Sequence, residues 1–257
     1  MKRVLKLAVG MVTFNRGVLL PHVLRYLARL RWRYGEKVII VRDGGSSDDT
    51  WRVLLEHIPT LIENYDGVYV SRSLKPEPIP KSRNHILALA RGLKCNLLLM
   101  LDDDVLVQDY VAEELYKYMG GEYAVLSARH ITVYQNSPYN PYSVPHYYFL
   151  RDVERNPYLW MGCTMMNLDI IPSDFWFDET KVLHEDVDFC KRLAQGQTSD
   201  RKPRAVGLCN RVTVVHWRIR GMKHSIDYAR ELWGWTPKNA TIGEARSSKL
   251  LLRCTRP

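Results

Sequence analysis

Leu97 to Leu101 are five apolar residues in a row, and Asp102, Asp103 and Asp104 follow without a break. A short apolar run bounded by polar residues fits a strand buried on both faces, the kind found inside a parallel sheet. Open α/β sheets place ligands at the carboxyl ends of such strands. Successive strand side chains alternate, so Asp102 and Asp104 are expected on one side and Asp103 on the other. Three adjacent carboxylates repel one another, and holding them at a partly buried strand end costs free energy unless a cation compensates. Carboxylate oxygens are hard ligands, suited to Mg²⁺ or Mn²⁺, which also take substrate phosphates. On these residues alone an acidic turn facing water and a calcium site stay open beside that reading.

The rest of the chain narrows the choice. Its 257 residues, 46% hydrophobic and 25% charged, suffice for one large α/β domain with a buried core. No apolar run approaches the roughly 18 residues of a membrane span. The basic start, Met1 to Lys6, runs into a short first strand, and no signal peptide is expected. Cys95, Cys163, Cys190, Cys209 and Cys254 are scattered, with no paired spacing. That argues for reduced thiols in a cytoplasmic protein and against a zinc or disulfide framework. The net charge of +9 is placed unevenly: from Thr198 onward 13 Lys and Arg face 4 Asp and Glu, so the whole excess lies there. Such a block suits a polyanion, or is simply a solvated basic face.

In order, Val4 to Thr13 reads as a strand and Gly17 to Leu30 as a helix. Lys37 to Val41 is a strand running into Arg42-Asp43-Gly44-Gly45-Ser46-Ser47-Asp48-Asp49-Thr50. Its glycines let backbone approach a ligand, and Ser47 or Asp48 can cap the helix that follows. That helix is expected to stop near His57, ahead of Pro59. Val68 to Val70 is a strand, Pro80 to Gly92 a helix, and Asp109 opens another helix closed by Gly120-Gly121. The alternation implies a parallel, doubly wound sheet. Tyr123 to Thr132 is a further strand. Tyr134 to Tyr158, rich in Tyr, Pro and Asn, reads as a long aromatic loop, as suited to binding as to packing. Trp160 to Met166 reads as a buried strand, His184 to Leu193 as a helix and Arg211 to Trp217 as a last strand. Ser225 to Trp233 reads as a short amphipathic helix. Acidic residues in a first turn, such as Glu185 and Asp186, are ordinary dipole complements.

Six pieces nevertheless fall in one order: Val9 to Arg16, Val41 to Thr50, Lys81-Ser82-Arg83-Asn84, Leu101 to Asp104, His184-Glu185-Asp186 and Val215-His216-Trp217. Together they resemble the family 2 glycosyltransferases, with their GT-A (nucleotide-diphospho-sugar transferase) fold. The resemblance covers roughly Leu5 to Trp217. It implies a GT-A domain over 1–220, with the basic extension 221–257 packed on it or partly flexible. It implies that Thr13, Asn15 and Arg16 line a nucleotide pocket, that Asp43 contacts the base and that Arg83 reaches the nucleotide or diphosphate. Asp102, with Asp103 beside it, would serve the ribose or phosphate, and Gly162 would admit the donor sugar close to the backbone. Asp104 and His216 would hold a divalent metal, Mn²⁺ or Mg²⁺. Asp186 would be the general base of an inverting transfer, with Glu185 next to it. The implied donor is a nucleoside-diphosphate sugar, UDP-linked by preference, and the acceptor a saccharide, lipid-linked group or protein.

His184 and His85 stand where relatives carry smaller residues, and no processive-synthase motif follows Asp186, which favours single additions. A nucleotidyltransferase on the same fold would show a Gly-rich basic loop after the first strand, and Thr13-Phe14-Asn15-Arg16 lacks it. A non-catalytic basic module is the other alternative. Trp217, Trp233 and Trp235 among the C-terminal arginines suit peripheral contact with an anionic membrane, or packing on the core. No nucleic-acid partner is expected.

Overall fold

The computed structural model describes residues 4–134, 152–218, 222–223, 227–228 and 231–232. Strands β1 (Leu7–Thr13), β2 (Lys37–Asp43), β3 (Gly67–Arg72) and β4 (Leu97–Asp102) alternate with helices α1 (Leu20–Ala28), α2 (Thr50–Ile62) and α3 (Ile79–Gly92). Then come β5 (Val105–Leu106), α4 (Val111–Met119), β6 (Tyr123–Tyr134), β7 (Val153–Arg155), β8 (Cys163–Asn167), α5 (Glu185–Ala194) and β9 (Ala205–Arg218). The sheet order is β3-β2-β1-β4-β8-β6-β9-β5, with β7 also on β9. β1 pairs in parallel with β2 and β4, and β2 with β3. β8 runs antiparallel between β4 and β6, and β9 is parallel to β6.

Alternation along the central strands explains the two layers. Leu7, Val9, Met11, Ile39, Val41, Leu97, Leu99 and Leu101 face one side and pack on Leu20, Leu24 and Leu27 of α1, Leu54 of α2 and Leu115 of α4. Ala8, Val38, Ile40, Leu98 and Met100 face the other and meet Ile86 and Leu87 of α3 and Phe189 and Leu193 of α5. Helices on both faces of a mostly parallel sheet are the doubly wound arrangement expected from the sequence. Each fully buried Leu, Ile or Met here contributes on the order of 1.5–3 kcal/mol. β1, β2 and β4 end side by side at their carboxyl ends, which brings residues 13–16, 43–50 and 102–104 together.

Several expectations are corrected. Pro59 does not stop α2, which continues to Ile62. The missing amide leaves the Leu55 carbonyl without its helical partner, and both Leu55 and Pro59 are exposed, so water can serve it. β9 begins at Ala205 rather than Arg211, because β6 and β7 both pair with its first half. β5 and β7, too short to carry a periodic signal, were not expected. β8 starts only at Cys163, and Trp160, expected in a buried strand, is 63% exposed. The aromatic loop falls largely outside the described residues, as do Trp233, Trp235 and much of the expected C-terminal helix. Trp217 packs its ring edge-on against His22 at 5.3 Å and lies against the core. Cys95, Cys163, Cys190 and Cys209 are buried free thiols. Among the described residues no helix is long and apolar enough to cross a membrane.

Candidate active site

A cleft of about 490 Å³ opens at the carboxyl ends of β1 and β4. Nine residues singled out in the sequence line it: Arg16, Arg83, Asp102, Asp103, Asp104, Gly162, Glu185, Asp186 and His216. The cleft wall does not include Thr13, Asn15 and Asp43, which lie directly behind it. Thr13 accepts a hydrogen bond from the Gly44 amide at 2.9 Å, joining the ends of β1 and β2. Asn15 takes a left-handed backbone, φ 52°, and its Oδ1 accepts from the Ser47 amide at 2.8 Å. Asp43 is fully buried; its Oδ1 accepts from the amides of Gly45 and Ser46 and from the Ser46 hydroxyl, at 2.6–3.1 Å. Its second oxygen pairs with Arg72 at 3.2 Å. As the loop stands, Asp43 is its organiser, and the turn it holds presents Gly44 to the cleft. Asp48 accepts from the amides of Thr50 and Gly17, but the N-cap of α2 is Asp49, one residue beyond the expected Ser47 or Asp48, and it makes no side-chain cap bond.

The three aspartates do not follow strand alternation. β4 ends at Asp102, and residues 103–104 turn toward β5, so period two no longer applies. Each carboxylate instead finds its own basic partner. Asp102 takes Arg83 at 2.8 Å. Asp103 turns under β1, accepting from the Phe14 amide at 3.1 Å and pairing with Arg16 at 3.3 Å. Asp104 hydrogen-bonds His216 Nε2 at 2.9 Å, and its carbonyl accepts from the Trp217 amide at 2.7 Å. The β5–β9 pairing, which sets Val105 opposite His216, makes that contact. Burial raises the pKa of Asp103 despite the nearby Arg16 charge, and the neighbouring Asp104 adds to the shift. Burial alone would lower the pKa of His216; the hydrogen bond and charge of Asp104 outweigh it and hold it above the ordinary value.

Among the described residues no three His, Cys, Asp or Glu side chains gather around one point. Asp104 and His216 therefore offer two donors. That number fits Mg²⁺ or Mn²⁺ shared with a diphosphate, since such ions keep open positions for phosphate oxygens and water. It does not fit a calcium cage, which needs six to eight oxygens.

Arg83 is the second organising group. Its buried guanidinium meets Asp102 and, at 2.9 Å, Glu185 at the start of α5. Asp186 lies beside them, so one cation faces three carboxylates. Burial would lower the Arg83 pKa, but Glu185, Asp102 and Asp186 overcome it and raise it. The carboxylates feel the deficit. Burial raises both Glu185 and Asp186 above the usual carboxylate range, with Arg83 only partly opposing. Asp186 is fixed by two amides, Met161 to Oδ2 at 3.1 Å and Val187 to Oδ1 at 2.7 Å. His184, just ahead of it, holds a left-handed backbone at φ 61°, a strained conformation that turns the chain sharply into α5.

Several cleft residues carried no sequence signal. His130 is a lone histidine in the mixed strand β6, next to Arg129; burial lowers its pKa to about 4. It lies against Gly162: a Cβ added there would stand 2.3 Å from His130 Cε1. The close approach at Gly162, expected to admit a donor sugar, is thus demanded first by His130. Phe14, Glu77, Trp160 and Tyr228 also line the cleft. Tyr228 meets the Phe14 ring edge-on at 4.9 Å, and Arg16 donates to the Lys223 carbonyl at 3.0 Å. These two residues of the basic extension therefore pack on the Phe14–Arg16 side of the cleft.

The geometry matches a known sequence pattern. The profile described as "Glycosyl transferase family 2" matches residues 8–168, well over half of the chain. The chain belongs to glycosyl transferase family 2. Both the family and the GT-A-like fold expected from the motifs are borne out. Staphylococcus aureus TarS 1–349, solved in complex with UDP-GlcNAc, is similar in fold: TM-score 0.63 at 17% identity, over 87% of this chain and 61% of that one. The mannosyltransferase PcManGT of Pyrobaculum calidifontis, in complex with GDP-Man and Mn²⁺, aligns with TM-score 0.56 at 13% identity, over 81% of this chain and 56% of that one. The chain spans about three-fifths of the length of these structures. No curated protein sequence matches it.

Proposed function

We propose that this family 2 member transfers a sugar from a nucleoside diphosphate to an acceptor hydroxyl, in one step that inverts the anomeric centre. The observation that carries the reading is a single cleft holding both the Asp102–Asp104 strand end and the amide-fixed Asp186. The nucleotide lies along Phe14, Arg16 and Gly44, above the loop that Asp43 organises. A UDP-sugar is the preferred donor; relatives of similar fold were solved with UDP-GlcNAc and with GDP-Man.

Asp186 accepts the proton of the attacking hydroxyl. Its two amide bonds fix the carboxylate, and the raised pKa makes it a better base than a solvated aspartate. The acceptor oxygen bonds the anomeric carbon as the bond to the diphosphate oxygen breaks, and the diphosphate leaves with the bonding pair. Arg83 holds Asp102 and Glu185 in register so that donor and base face one another. Asp104 and His216 would hold Mn²⁺ or Mg²⁺, which when bound supplies positive charge to the leaving diphosphate. The net positive charge of the C-terminal sequence suits peripheral contact with an anionic membrane.

Calorimetric titration of UDP and of GDP, with Mn²⁺ and then with EDTA, tests the reading beside Asp104→Ala. Metal-dependent binding of one nucleotide, weakened in the variant, is expected. If neither nucleotide binds under any condition, the donor site is not in this cleft.

A further inference from the structure

The rim beside Asp186 carries a feature to which the transferase reading above gives no role. Trp160 is 63% exposed and Tyr158 is 50% exposed, two residues apart in an irregular stretch before β8. A tryptophan so open to water forgoes apolar burial that an ordinary fold would exploit. Its backbone is nevertheless held hard. The Trp160 carbonyl accepts from the Ser127 hydroxyl at 3.0 Å and from Thr164 at 3.4 Å. The next amide, of Met161, is the one that fixes Asp186. One residue further, the Gly162 carbonyl accepts from the Asp102 amide at 3.0 Å. Residues 160–162 thus run from the base to the aspartate strand, and the indole sits at the base end. Tyr158, two residues earlier, has the Lys191 ammonium over its ring at 5.4 Å.

We propose that Trp160, flanked by Tyr158, is the acceptor platform, and that the acceptor is a saccharide whose pyranose ring stacks on the indole with a hydroxyl toward Asp186. A pyranose has an apolar C–H face and a hydroxyl edge, so it matches an apolar ring beside a fixed carboxylate. An acyl chain would need a longer apolar groove, whereas the cleft that Trp160 lines also carries His184, Glu185 and Asp186. Ordering an indole with two rotatable bonds on a clamped backbone loses little entropy. The proposal rests on the transferase reading above and names its acceptor class.

The test follows nucleotide release from UDP-GlcNAc and from GDP-mannose by the full chain with Mn²⁺. Methyl glycosides of glucose, galactose, mannose, N-acetylglucosamine and N-acetylgalactosamine, in both anomers, and their disaccharides are added in turn. At least one is expected to accelerate release. Trp160→Ala should raise its KM by roughly threefold to tenfold, the scale of one aromatic stacking contact, and Trp160→Phe should keep most of the affinity. The calorimetric Kd for the nucleotide should hold in both variants. The proposal is overturned if the accelerating saccharide has the same KM in Trp160→Ala, or if nucleotide binds with metal and no saccharide accelerates its release. It is also overturned if nucleotide affinity falls with the indole, which would make Trp160 a donor contact. Absence of nucleotide binding by the unaltered protein removes the transferase reading itself, and this proposal with it.

Discussion

Gly162→Ala separates packing from chemistry at the centre of the cleft. The added Cβ would stand 2.3 Å from Cε1 and 3.0 Å from Nδ1 of His130, and 3.3 Å from Cγ2 of Val105. A contact of 2.3 Å between carbons is far inside van der Waals distance, so His130 or the backbone must move. Retreat of His130 is obstructed, because it sits on β6 in register with Val214 of β9. Backbone movement at 162 would pull on the bonds that fix Asp102 and Asp186. Overpacking of this kind costs about 1–3 kcal/mol. For a domain of this size that lowers Tm by roughly 2–4 °C per kcal/mol. Thermal unfolding of four proteins, unaltered, Gly162→Ala, His130→Ala and the double variant, measures the coupling. The alanine at 162 should be clearly destabilising beside His130 and nearly neutral once the imidazole is gone. Equal cost in both backgrounds would refute the argument that His130 dictates the glycine.

Three further outcomes follow from the same contacts. Arg83→Met leaves Glu185 buried without its cation, and breaking such a buried pair costs about 3–5 kcal/mol. Without Arg83 the folded-state pKa of Glu185, already raised by burial, rises further, so the loss should be smaller in mildly acidic than in mildly alkaline buffer; a pH-independent loss in thermal melts contradicts this. Asp186→Asn should leave the nucleotide Kd near its original value while slowing transfer by about 10²–10⁴-fold, the range of a lost general base, read by nucleotide release with acceptor present. The working form of Asp186 is deprotonated and burial raises its pKa, so kcat/KM should fall on the acid side above the ordinary carboxylate range. Glu185→Gln removes a neighbouring negative charge and should move that acid limb to lower pH; an unmoved limb, or one moved upward, assigns the titration to another group.

Some of this protein was readable from residue order alone. The central residues of β1, β2 and β4 are apolar on both faces because both faces are covered, and short apolar runs between helical repeats carry that information locally. The same holds for Asp102 to Asp104, which close such a run and so had to emerge at a sheet end. The asparagine, glycines and aspartates of residues 15 and 43–50 declare a turn through their own backbone preferences. Other features depend on partners far along the chain. Asp104 and His216 are 112 residues apart, and only the pairing of β5 with β9 joins them. Which base each aspartate takes follows from where β4 stops, since one further strand residue would have reversed Asp103. His130 under Gly162 requires β8 and β6 to lie side by side, and a lone histidine in a mixed strand signals nothing by itself. Trp160 is apolar in sequence and looked buried. Its exposure follows from hydrogen bonds to Ser127 and Thr164 and from the tie between Met161 and Asp186, each set by strands and a helix that meet only in the folded chain. Local preference chooses the elements, but burial, charge pairing and access to the cleft depend on long-range register, which no window of sequence contains.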